Sequence, residues 1–103
     1  MPTAMIMRWP GISLDDYEKA REKVDWEHDV PPGAIFHVVA QDGDDLRVVD
    51  VWRSAEDFDR FVNDRLMPAV RELGIPGEPE VKLLEVHRSF APDGIPAGAP
   101  AIA

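Results

Sequence analysis

The stretch Ile35-Phe36-His37-Val38-Val39-Ala40-Gln41, followed by Asp42-Gly43-Asp44-Asp45 and then Leu46-Arg47-Val48-Val49-Asp50-Val51-Trp52, decides the fold. Two runs rich in β-branched residues around a short acidic turn that contains glycine spell a β-hairpin. Side chains two apart on a strand share a face, so Ile35, His37, Val39 and Gln41 form one row and Leu46, Val48, Asp50 and Trp52 another. A loop of two or of four residues gives one register: Gln41 opposite Leu46, Val39 opposite Val48, His37 opposite Asp50 and Ile35 opposite Trp52. An imidazole thus faces a carboxylate in the middle of an otherwise apolar surface. The reverse faces, with Phe36, Val38 and Ala40 against Val49 and Val51, are apolar as well.

Working outward, Thr3 to Trp9 reads as a strand ended by Pro10-Gly11. Ser13 caps a helix with Asp15 and Asp16 in its first turn, where the helix dipole favours acids. Leu14, Tyr17, Ala20, Arg21 and Val24 fall at helical spacing, which carries the helix to about Val24 or Asp25. Trp26 to Gly33 is a loop, because Pro31-Pro32-Gly33 cannot continue a helix. Beyond the hairpin, Ser54-Ala55-Glu56-Asp57 repeats the capped start. Phe58, Phe61, Val62 and Leu66 supply that helix's apolar stripe, Pro68 is expected to kink or restart it, and Gly74 ends it. A last strand spans about Glu80 to Ser89, with Glu85 and His87 on one of its faces.

The order strand, helix, strand, strand, helix, strand predicts an α+β, ferredoxin-like βαββαβ sandwich over residues 1–90: a four-stranded antiparallel sheet with both helices on one side. Apolar residues on both faces of the hairpin require a second cover, and the economical one is another copy of the same sheet, giving a homodimer with its helices outside. Residues 91–103, rich in Pro, Gly and Ala, read as a flexible tail.

Length and composition bound the function. In 103 residues, 45% are hydrophobic and 30% charged, as in a globular domain, and one this small gains from burying a face against a partner. A formal charge of −9 opposes binding to nucleic acid or to an anionic membrane. No apolar run approaches the length of a membrane span, and the N-terminal stretch lacks the pattern of an export signal, so the expected location is cytoplasmic. Without cysteine, thiolate catalysis and thiolate metal sites are excluded. Three histidines with no His-x3-His spacing give no expected metal site. Nothing in the sequence forms a glycine-rich phosphate loop or a Ser-His nucleophile.

At Val51-Trp52-Arg53-Ser54-Ala55-Glu56-Asp57-Phe58, a strand ends in Trp and runs into a helix capped by Ser-x-x-acid followed by an aromatic. In this motif, and in element order from Met5 to Val86, the chain resembles the antibiotic-biosynthesis monooxygenase-like family of dimeric α+β barrels. The resemblance implies a face-to-face dimer and, in the cofactor-free oxygenases of that family, a Trp lining a cavity between sheet and helices, a role that falls to Trp52. Where those enzymes carry a carboxamide four residues earlier, this chain has Val48. The position matching an active-site Tyr early in the second helix holds Phe58, and no His stands near Val62-Asn63-Asp64, so neither quinol oxidation by a helix His nor haem ligation is implied. His37 and Asp50 take that place.

These residues fit two roles. In one, His37 is a base that removes a phenolic or enolic proton and Asp50 orients it. Trp52 and Tyr17 are then flat walls for an aromatic or polyketide-like molecule, with Val48, Phe58, Phe61 and His87 as further binding residues, and no cofactor is used. Oxygenation, isomerisation or cyclisation would follow. In the other, His37 and Asp50 satisfy each other as a cross-strand pair, Trp52 is packing, and the chain is a non-catalytic binding or assembly module. Trp26 and His28 either cover the cavity opening or anchor their loop. Arg65 and Arg71 pair with surface acids unless one turns inward to hold an anionic group.

Overall fold

The computed structural model describes residues 2 to 92, so the predicted tail lies almost wholly outside the described residues. Strand β1 (Thr3–Pro10) leads through Gly11 into α1 (Leu14–Val24), and the hairpin is β2 (Ala34–Asp42) and β3 (Asp45–Trp52). Helix α2 (Ala55–Phe61) passes through a π-helical segment, Val62–Leu66, into α3 (Met67–Leu73), and β4 (Glu80–Glu85) closes the order. The strands lie β2-β3-β1-β4, every neighbouring pair antiparallel. This is the α+β, ferredoxin-like arrangement that the order of elements predicts.

Both helix starts form as read. Ser13 Oγ accepts from the Asp16 N–H, and Ser54 Oγ accepts from the Asp57 N–H, each satisfying one donor that the first turn leaves free. Proline at position 68 cannot offer an N–H to the Asp64 carbonyl, and its ring crowds that carbonyl. The chain answers by widening the turn before it: the Met67 N–H reaches back five residues to the Val62 carbonyl. The expected interruption therefore appears as a π-helical turn within a rod that stays right-handed. Gly74, at φ 67°, ends the rod.

On the hairpin, Gly43 takes φ 60° in a two-residue loop, and Gln41, Val39 and His37 face Leu46, Val48 and Asp50 as the register requires. The expected Ile35–Trp52 pair does not form. A bulge sets Ala34 opposite Trp52 and leaves Ile35 as the extra residue, 55% exposed. It follows Gly33, whose φ of 89° turns the incoming loop and whose carbonyl accepts from the Arg53 N–H. Strand β4 ends at Glu85, short of Ser89, although the Val86 N–H still bonds the Pro2 carbonyl.

The core lies between the sheet and the helices. Met5, Met7 and Trp9 of β1 and Leu46, Val48 and Trp52 of β3 point inward against Ala20, Phe58 and Val70. On the reverse face Ile6, Val38, Val49 and Leu84 are 38–45% exposed. They are contiguous, because Ile6 lies opposite Val49, Val49 opposite Val38, and Ala4 beside both Val51 and Leu84.

Candidate functional site

The alternation of β3 sends Asp50 and Trp52 to the helix side, where the register brings His37 beside Asp50. Asp50 is 6% exposed, an expensive place for a carboxylate unless it is fully hydrogen-bonded. It is: Oδ1 lies 2.6 Å from His37 Nδ1, and Oδ2 accepts from Trp52 Nε1 at 3.1 Å. The second ring nitrogen of His37, Nε2, lies 2.8 Å from Tyr17 Oη on α1. A carboxylate only accepts, so Nδ1 of a neutral His37 carries the proton, and Nε2 accepts from the Tyr17 hydroxyl. Four side chains from α1, β2 and β3 thus form one line, Tyr17 to His37 to Asp50 to Trp52. Burial holds the Tyr17 phenol well above the ordinary tyrosine range, with neighbouring Glu18 and Glu27 acting the same way, so the hydroxyl is neutral.

This line forms part of the wall of a cavity of about 360 Å³ between sheet and helices. Its aromatic wall is built from contacts across elements: Phe61 packs at 5.4 Å from Trp52, and Phe58 stands edge-on to Trp52 at 5.7 Å. Trp26 stands edge-on to His37 at 5.5 Å and to Phe61 at 6.4 Å, which brings its loop over the site. The loop is tied down from behind, as Arg65 Nη2 donates to the carbonyls of Val24 and Asp29 at 3.0 and 2.8 Å. Arg65 therefore does not turn inward. Among the described residues the lining holds the carboxylates Asp50 and Glu27 and no Lys or Arg, so nothing there would hold an anionic group.

The structure brings together His37, Asp50, Trp52, Tyr17, Val48, Phe58 and Phe61, all of which line the cavity. It does not bring His87. That residue lies beyond β4, exposed, at the sheet edge opposite the one where β2 carries His37. His28 is also outside, exposed and bonded to Asp25 at 2.6 Å. Trp26, for which the sequence leaves cavity cover and loop anchor open, and Met7, Ile12 and Val30 join the lining. Loop composition gives no signal of which way an indole turns. Met7, however, alternates with Ile6 on β1, and its place on the inner face follows from strand period.

A single-layer sheet carrying two helical elements on one side, with an aromatic cavity between, defines a small α+β sandwich class. Among solved structures the same fold occurs in SnoaB, a cofactor-independent oxygenase from Streptomyces nogalater, with 14% identity, 86% of this chain and 96% of that one covered, and a TM-score of 0.65. It occurs in Rv0793 from Mycobacterium tuberculosis, with 16% identity, coverage of 88% and 100%, and a TM-score of 0.62. A Chloroflexus aurantiacus J-10-fl protein provisionally described as an antibiotic biosynthesis monooxygenase matches with 16% identity, coverage of 86% and 98%, and a TM-score of 0.56. No family model matches the chain, and no curated protein does. What is shared at these identities is the fold, the one the sequence resemblance implied.

Proposed function

We propose that this protein binds a flat, hydrophobic, aromatic or polyketide-like molecule in the cavity and removes a proton from it without a cofactor, His37 being the base and Asp50 its orienting partner. The observation that carries this reading is the hydrogen-bonded line from Trp52 to Tyr17 along the wall of a 360 Å³ hollow. That volume falls in the range of small-molecule sites, and its few polar groups converge on one point. Proton removal leaves an electron-rich anion, which reacts with O2 or regains its proton at another atom. SnoaB, a cofactor-independent oxygenase, lends support through the shared fold. The reading includes a homodimer, in which a second copy covers the apolar outer face around Ile6, Val38, Val49 and Leu84.

The test is a panel of flat phenols and quinols followed for O2 uptake and for isomerised product. His37→Ala should lower turnover by about 100-fold or more, the usual worth of a general base, with wild-type sedimentation. Unchanged turnover in that variant removes the proposed base. One observation favours a purely binding role: among the described residues, no buried side-chain nitrogen or oxygen lacks a partner, so the pair is satisfied as it stands. Retained ligand binding with no turnover by the wild-type protein would decide for that role.

A further inference from the structure

His37 has a single lone pair to offer, at Nε2, and the Tyr17 hydroxyl occupies it at 2.8 Å. Nδ1 is committed to Asp50 at 2.6 Å, and the Trp26 ring stands edge-on at 5.5 Å over the same imidazole. The ring planes of Tyr17 and His37 are within 9° of parallel, with centroids 6.1 Å apart, so the two rings pack as one unit. A molecule in the cavity therefore finds the His37 lone pair taken and the lone pairs of Tyr17 Oη beside it. We infer that Tyr17 is the group that takes the substrate's proton, while its own proton passes in the same event to His37 Nε2. This rests on the reading of His37 as the base and changes which atom touches the substrate.

The step balances. The substrate's O–H or C–H bond breaks and its electron pair stays on the substrate. The released proton bonds to Tyr17 Oη as the original Tyr17 proton bonds to Nε2. Tyr17 ends neutral, and the new imidazolium is held by the Asp50 carboxylate, whose second oxygen is fixed by the Trp52 N–H. No phenolate forms, in keeping with a phenol whose burial disfavours its charged state. The relay also defines the substrate's charge. With two carboxylates and no Lys or Arg in the described lining, the cavity suits a neutral phenol or enol and disfavours a carboxylate, phosphate ester or sulfate.

The experiment uses 2-naphthol, a neutral flat phenol that becomes a strong acid on excitation, bound to the full chain and excited to the red of tryptophan. The fraction bound is followed by quenching of tryptophan emission. Wild-type protein should show naphtholate emission from the bound probe, and both Tyr17→Phe and His37→Ala should reduce the naphtholate-to-naphthol ratio by about tenfold or more at equal occupancy. Near-ultraviolet circular dichroism checks that the isosteric Tyr17→Phe variant keeps its packing. A wild-type ratio in Tyr17→Phe with a lost signal in His37→Ala overturns the relay and leaves His37 as the direct base. Wild-type ratios in both variants, or exclusion of the probe from the wild-type protein, overturn the relay together with the base reading.

Discussion

The two faces of one sheet carry similar side chains and have opposite fates. On β3, Leu46 and Val48 are 1% and 6% exposed beneath the helices, while Val49, one residue on, is 38% exposed on the reverse side. On β1, Met5 and Met7 are buried and Ile6, between them, is 41% exposed. The inner face is the one that holds a buried acid and a cavity. The outer face is mostly apolar around Val38, Val49, Ile6 and Leu84; at its margin Arg8 pairs with Asp45 and Glu80, and Lys82 lies opposite Ile6. A covered face can hold polar chemistry because its partners are fixed within the chain, whereas the uncovered one offers only area to a second molecule.

Substitutions can break that contrast. The largest effect is expected from Val49→Asp, which places a charge at the centre of the outer face of each copy. Leaving such charges unpaired in the proposed dimer costs about 4 kcal/mol, so that dimer should dissociate about 1,000-fold more readily, with the monomer still folded. Sedimentation equilibrium measures this, and a wild-type protein that is monomeric at high concentration would refute the second cover. On the inner face, Asp50→Ala leaves the Trp52 and His37 N–H groups without their acceptor, and should lower stability by about 3 kcal/mol in urea unfolding.

Two smaller changes probe the loop that brings Trp26 over the cavity. Gly33 has φ 89°, and a Cβ there would run into the Asp57 side chain, so Gly33→Ala should cost about 2 kcal/mol and loosen ligand retention. A variant as stable as wild type would show that the loop accommodates the methyl by moving. The least effect is expected at His28, whose imidazolium is favoured by its hydrogen bond and attraction to Asp25. Its pKa in the folded protein lies above the ordinary 6.5, so the added stability is fully present below that pH and fades as pH rises through the raised value. His28→Gln should remove that slope from a plot of Tm against pH, and an unchanged slope would assign it elsewhere.

Much of this arrangement was legible in the residues, and the misses have physical causes. Turn length and strand period together put His37 opposite Asp50: the loop sets the register, and a one-residue slip would turn a hydrophobic row over. That register fails at Ile35 because a bulge adds a residue to one strand only, and in the sequence only Gly33, just before it, marks an irregular backbone. Residue type groups His87 with the site, yet β4 lies at the far sheet edge from β2. The sequence makes Tyr17 a wall, since helical spacing gives the face of α1 that turns inward and not which side chain its hydroxyl will meet.

The chain by itself determined the elements, their caps, the antiparallel hairpin and the meeting of imidazole with carboxylate, because these follow from periodicities of two and 3.6 residues and from turn chemistry over short spans. Tertiary structure alone decided that Tyr17 closes on His37, that Trp26 comes over the site, that Arg65 turns away to hold a loop, and that a hollow remains. Those outcomes depend on how whole elements settle against one another, at distances fixed by the packing of side chains far apart in sequence.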